Sequence, residues 1–521
     1  MSLTPVPMPS RPPAAAAIDA AWNGVCNVIA RMRSPVSRWP CVVASLLCLA
    51  VAPVVQAQDH HHGAGGDVSG EPLPFASTCR PAVAGVLDRG VHQLHTLALD
   101  DAIGTFRLAA HSDIDCTMAY WGTAMTHWAR FARSGDADVL AEGWRALDQA
   151  ALLHRAPSAR ERRYLDALVS RYRLRLADGP RRYAAAMAAL ATDFPDDPHA
   201  AWFAAAARLD EPAATVAEAT AAGDDALALL HRPAVPAGHV VTRFHVVLAG
   251  RTTELAARVA EHARVLAGDD EAPARLLPAA RRVFEALGRW PDAIALGQRL
   301  ADAARRDGAA AEELLALEGL VLAQLQASRA DEARAVERRL DGGYLADAAD
   351  AAAVRARIGV RIALDTDDMA AAAALAVPDD AGPAAVAAVL FARALGAAAL
   401  GRPADAAAAA RRLEALTAVP GTAPATTRLA RAATAWAAAA AGRRDAAVAA
   451  LRALADEEDA VFDDGQAMPL RPAREQLADL LTTARRLDEA AAAYAAVLER
   501  WPGRARAAAR LAARAKGDDA R

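Results

Sequence analysis

Residues 477–502 read LADLLTTARRLDEAAAAYAAVLERWP. Leu477, Ala478 and Leu481 fall on one face of a helix, and Leu487, Ala490 and Tyr494 on one face of a second. Ala478, Ala490 and Pro502 are evenly spaced along the chain, at i, i+12 and i+24. This spacing predicts two helices folded against each other. A small residue on the first meets a small residue on the second, so the backbones approach closely. Tyr494 is left to fill space against a neighbouring pair. Pro502 has no N–H to donate and turns the chain toward the next helix.

The same grammar recurs upstream. Leu99, Ala102, Ile103, Phe106, Ala109 and Ala110 form one apolar stripe, and Gly90 precedes Ala102 by the same interval that separates Ala478 from Ala490. Trp121 and Gly122 are assigned to packing between pairs in the same way. Three turns share a form: GRWPDA at 288–293, GRPADA at 401–406 and GRRDAA at 442–447. In each, glycine ends a helix and a small alanine follows at i+5. Ala293, Ala333, Ala406, Ala447 and Ala490 are therefore equivalent positions, and the intervals between them are 40, 73, 41 and 43. The interval of 73 has room for one further pair near residues 346–376. Periods in this range mark stacked helical repeats.

Composition agrees. Of the 521 residues 54% are hydrophobic, but more than a quarter of the chain is alanine and only 5% is aromatic. Such a chain favours helix over sheet. Its net charge is −4, which steers it toward neither nucleic acid nor acidic lipid. Lys516 is the only lysine, which excludes a phosphate loop ending in Gly-Lys-Ser/Thr, a Schiff-base lysine and a Ser-Lys dyad.

The N-terminal region reads as an address. Residues 1–31 have little pattern, and Met32 is a plausible start. Arg33 and Arg38 precede an apolar run from Cys41 to Val55, followed by Val55-Gln56-Ala57. This is the layout of a secretory signal, with cleavage expected after Ala57. The run is shorter than the roughly 20 residues of a membrane span, so no stable span is expected once the signal is removed. Residues 58–74, Gly-rich and opening on Asp59-His60-His61-His62, are expected to be a disordered linker. Residues 75–521 are expected to form the repeat array. Only Cys79 and Cys116 remain after cleavage, and an exported chain is expected to pair them. The first three helices run out, back and out again, which returns both cysteines to the same end of the array.

At the repeat residues the chain resembles the tetratricopeptide-repeat (TPR) proteins, whose period is about 34 residues. Residues 71–128 contain EPLPFASTCRPAV, LDRGVHQLHTLALDDAIGTFRLAA and DIDCTMAYWGTAMTHW. These resemble an exported bacterial subgroup of that family. Asp113-Ile114-Asp115 departs from the subgroup's Asp-Pro, and Ala274–Leu287 lacks the histidines that many relatives carry there. The resemblance implies an all-α, right-handed superhelical solenoid of antiparallel helix pairs.

Signatures of chemistry are few. The chain has no His-Glu-x-x-His, no Gly-x-Ser-x-Gly and no Gly-x-Gly-x-x-Gly. His92 and His95 lie three apart on one helix, near His111, Cys116 and His127. Two readings stand: a transition-metal or proton-handling group, or imidazoles packed at helix interfaces. His239 and His245 share a face poorly. Trp121, Trp128 and Trp144 either line a groove or fill space between repeats. The arginines between Arg155 and Arg175 read as a solvated face or a surface for an acidic partner. The expectation is a non-catalytic exported scaffold or adaptor for a protein or peptide partner, without cofactor or nucleic acid. The alternative is a periplasmic transition-metal protein using His60, His61, His62, His92 and His95.

Overall fold

The computed structural model describes residues 71–515 except 174–177, 214, 341, 349, 379–380, 420–421 and 461–467. Residues 1–57, which read as an export signal, and His60–His62 lie outside the described residues. Those described contain 23 α-helices, two short 3₁₀ turns and no strand. The helices form eleven consecutive pairs and a closing helix, Ala505–Ala515. The first pair is Ala84–His95 with Leu99–Ser112, and the last is Ala473–Thr483 with Leu487–Arg500. The interval between Ala333 and Ala406 holds the pair Ala351–Asp365 and Met369–Ala374.

The turns within pairs explain the repeat. Gly288, Gly401 and Gly442 have φ of 65°, 68° and 85°. In each of these turns the following amide bonds back to the carbonyl five positions earlier, as in Arg289 to Phe284. This closes the helix and reverses the chain. Leu97, Ser328, Asp367 and Arg485 occupy the same place at φ of 55–63°, with the same backbone bond. Four non-glycine residues thus accept a left-handed conformation that costs each about 1 kcal/mol. Elsewhere side chains start the helices: Ser158 with Glu161 and Thr215 with Glu218 form reciprocal capping boxes.

Packing within and between pairs depends on small residues. The ring of Phe106 is fully buried between Gly90 of its own pair and Gly122 of the next, and a Cβ at Gly122 would overlap it. Ala102, Ala293, Ala333, Ala406, Ala447 and Ala490 are all buried. Tyr494 is buried too, and its hydroxyl donates to Asp479 Oδ1 at 2.6 Å. Helix Gly382–Ala399 is long and apolar enough to cross a membrane, but its apolar residues pack against Ala351–Asp365, Pro403–Thr417 and Pro424–Ala440.

First helices pack on the first helices of neighbouring pairs, as Ala84–His95 does on Thr117–Ser134 and Ala310–Gln326 on Ala351–Asp365. They form one row of the array, and distant parts of the chain meet along it. Arg275 Nε donates to the carbonyl of Thr96 at 2.6 Å. Gln326 Oε1 accepts the amide of Ala505, and the buried Arg504 binds Asp365 and Glu475 at 2.7 and 2.8 Å. Arg504 and Arg506 both hold Glu475, whose carboxyl is pulled down to about 2 against the effect of its burial. We call this the inner row.

Candidate functional site

The N-terminal segment Glu71–Arg80 lies extended along the inner row of the first five pairs. Pro72 and Pro74 favour that conformation. Its contacts are mostly made by main chain. The amide of Phe75 donates to Asp88 Oδ1 at 2.7 Å, and burial pushes that carboxyl up. Arg160 donates to the carbonyl of Ala76 at 2.5 Å. The amide and hydroxyl of Thr78 donate to Glu161 Oε1 at 2.8 and 3.1 Å. Glu161 is fully buried, and its other oxygen accepts the amide of Ser158. A ring nitrogen of His239 meets the carbonyl of Glu71 at 3.2 Å.

One side chain of the segment is an anchor. Phe75 is 3% exposed and stacks on Trp121 at 5.6 Å between centroids. Tyr164 and His199 meet it edge-on at 5.4 and 5.2 Å, and the Arg160 guanidinium lies over its ring at 4.5 Å. Arg160 is fixed by Asp197, which also accepts the Tyr164 hydroxyl. At the end of the segment Cys79 is disulfide-bonded to Cys116, with Cα atoms 4.6 Å apart. Beside it the buried Asp113 accepts Arg155 at 2.6 Å and the Arg80 amide at 2.7 Å. The Arg155 bond leads in holding this carboxyl below its usual range.

Behind Phe75 lies a cluster of imidazoles. His92 and His95 come from the first helix, His199 from Pro198–Leu209, and His239 and His245 from the start and body of Val240–Leu248. His95 Nε2 and His199 Nδ1 are 3.3 Å apart, and His95 stacks on Phe203 at 4.2 Å. His92 meets His239 edge-on at 5.9 Å, and His239 stacks on Trp202 at 5.4 Å. Burial lowers all five, His92, His199 and His245 to about 4, and His95 and His239 below the usual imidazole value. They are neutral at pH 7. One pair of ring nitrogens meets, His95 with His199, while His239 turns to the carbonyl of Glu71 and His245 to that of Val241. Among the described residues the only His, Cys, Asp and Glu atoms close enough in threes for one ion are those of Cys79, Asp113 and Cys116, where both sulfurs are in the disulfide.

The other sequence candidates are dispersed. His111 is exposed. His127 is buried, with Nε2 3.5 Å from Glu142. Trp128 is half-buried against Tyr172, and Trp144 is partly exposed. Four arginines of this stretch are tied to carboxylates, Arg155 to Asp113, Arg160 to Asp197, Arg163 to Asp193 and Arg171 to Asp210, while Arg162 donates to the carbonyl of Pro157. Pro502 sits in the turn before the closing helix, its carbonyl against Gly288. Sequence reading missed Phe75, Arg160, Glu161 and His199. A signal for His199 existed, because His199, Trp202 and Phe203 share one helical face directly after Asp197-Pro198.

Two cavities open further along the array. One, of about 570 Å³, is bounded by Arg251, Arg282, Arg428, Glu458 and Trp501 among others, between middle and C-terminal pairs. Burial raises Glu458 to about 6. The second, of about 670 Å³, is bounded by Arg275, Arg281, Glu285, Glu318 and Arg361. Both linings mix arginine with glutamate and contain neither histidine nor cysteine. They are suited to charged side chains.

No family model matches the chain, and no curated protein matches it in sequence. Among solved structures it is similar to the one described as Naa15/Naa10 bound to HypK-THB, at 12% identity and TM-score 0.24 over 78% of this chain. The chain spans 62% of the length of that protein. It is similar to yeast Tom70 at 12% identity and TM-score 0.27, over 78% of this chain and 88% of that one. It is similar to the TPR domain of P58(IPK) at 14% identity and TM-score 0.23, over 78% and 98%.

Proposed function

We propose that the chain is an exported helical-repeat scaffold or adaptor that binds a protein or peptide partner along its inner row. It acts by binding rather than by catalysis. The observation that carries this reading is the extended segment Glu71–Arg80, held there by main-chain hydrogen bonds to Asp88, Arg160, Glu161 and His239. A row of helices that presents fixed donors and acceptors to an extended backbone has the chemistry of peptide recognition. Export is supported by the Arg33–Ala57 segment and by the pairing of the two cysteines that follow it.

The test is affinity capture from a cell-envelope extract, with the bound protein identified. Its binding should fall at least tenfold on charge reversal of the inner-row Arg281 and stay within twofold on charge reversal of Arg411, which is exposed on a second helix. Capture that is indifferent to both would defeat the reading.

A further inference from the structure

We propose that Glu71–Thr78 is a built-in occupant of a peptide site, and that the site's external partner is an extended segment with one aromatic anchor. This rests on the binding reading above and names its partner chemistry.

The segment is held as a ligand is held. Between Glu71 and Arg80 only Phe75 is buried, while Leu73, Ser77, Thr78 and Cys79 are half-buried and the rest exposed. A segment belonging to the core would bury every second side chain or more. This one inserts a single ring and leaves its backbone to the receptor. The receptor groups come from separate helices: Asp88 from the first, Trp121 from the third, Arg160, Glu161 and Tyr164 from Ala159–Tyr172, and His199 from Pro198–Leu209. None is adjacent in sequence to the segment. The box around Phe75, with two aromatic rings, an imidazole and a guanidinium, fits an aromatic side chain by shape and by the charge on the ring face. The main-chain bonds to Asp88, Arg160 and Glu161 need only a free amide, carbonyl and amide at the anchor and beyond it. Beyond the anchor they read one further side chain, the Thr78 hydroxyl that also donates to Glu161. The site thus selects an aromatic anchor in an extended backbone and tolerates variation around it.

The occupant is tethered by its own chain, which runs through Arg80 into Pro81–Val83 and the first helix, and the disulfide of Cys79 with Cys116 shortens that tether. A tethered segment competes at an effective concentration on the order of millimolar. An external segment enters only by outcompeting it, and more readily once the disulfide is reduced.

The probe is the synthetic octapeptide Glu71–Thr78, EPLPFAST. It is titrated into the full chain and into a variant lacking residues 71–78, with the fold of each checked by far-ultraviolet circular dichroism. The folded deletion variant should bind one equivalent, the same peptide carrying Phe75→Ala should bind at least tenfold more weakly, and the intact chain should bind neither. A folded variant that ignores the peptide, or takes both peptides alike, overturns the proposal. Loss of helical signal in the variant also overturns it, because the segment is then part of the core. An independent check on the intact chain is hydrogen exchange. The amides of Phe75 and Thr78 should open at least a hundredfold more readily than those of Leu87 and Val91, and equal protection would overturn the proposal. If the peptide is refused while an envelope partner is still captured, the scaffold reading survives on another part of the inner row.

Discussion

The indole N–H of Trp290 donates to the carbonyl of Gly503 at 2.8 Å, although 213 residues of chain separate them. No single repeat contains this contact. It arises because the array winds back on itself and the last turn meets the sixth pair. Gly288 makes the meeting possible: it has φ of 65°, and the Pro502 carbonyl lies where its Cβ would be. Gly288→Ala should therefore cost about 2–4 kcal/mol, combining left-handed strain with overpacking. Hydrogen exchange should rise around both Trp290 and Gly503, and a change confined to one of them would argue against their coupling.

Gly122→Ala drives a methyl group into the Phe106 ring. The expected loss is about 1–3 kcal/mol in denaturant unfolding. Adding Phe106→Leu should recover part of it, because the two residues share one space. Additive losses in the double variant would mean that the contact is not the cause.

The turns within pairs were legible from glycine at Gly288, Gly401 and Gly442. Leu97, Ser328, Asp367 and Arg485 take the same backbone conformation without that residue, and there the turn was marked only by the flanking pattern, as by Ala333 and Ala490 five positions after Ser328 and Arg485. The backbone bond to the carbonyl five positions back defines the turn, and side-chain identity reports it only through a modest preference. The buried partner of a stripe was equally legible, since Phe106 and Ala102 follow helical spacing. The site around Phe75 was not. Its parts come from the Glu71–Arg80 segment and four helices, and a phenylalanine after proline, before the first repeat, carries no periodic signal. His92 and His95 were visible as a pair, but His199 joins them only through the stacking of the fourth pair on the first.

The disulfide closes a loop of 37 residues that spans the first pair. Chain entropy alone makes its loss worth about 4 kcal/mol. Cys79→Ser with Cys116→Ser should lower stability by about 2–4 kcal/mol, with the largest loss of exchange protection at Phe75 and Thr78. Unchanged protection in that segment would show that the hydrogen bonds to Asp88 and Glu161 suffice without the disulfide.

The histidine cluster sets a pH dependence whose sign is fixed. His92, His199 and His245 have folded values near 4, below their ordinary 6.5. Between pH 6.5 and 4 the unfolded chain therefore binds more protons than the folded one. Stability is complete above about pH 6.5 and declines as pH falls toward 4. The groups facing the cluster include Asp88, Asp197, Asp210, Arg160, Arg243 and Arg275. Each depressed histidine contributes on the order of 2–3 kcal/mol to the decline, reduced where neighbours share protons. Unfolding midpoints at pH 7.5, 5.5 and 4.5 should fall in that order, and less steeply in a His92→Gln, His199→Gln variant. A slope unchanged by the double substitution would assign it to carboxylates instead.

Binding along the inner row is read out by hydrogen exchange of the complex with a captured partner, compared with the chain alone. New protection is expected on first helices such as Ala159–Tyr172, Pro198–Leu209 and Leu277–Ala286. Protection confined to second helices such as Leu99–Ser112 and Pro403–Thr417, with the inner row unchanged, would contradict it.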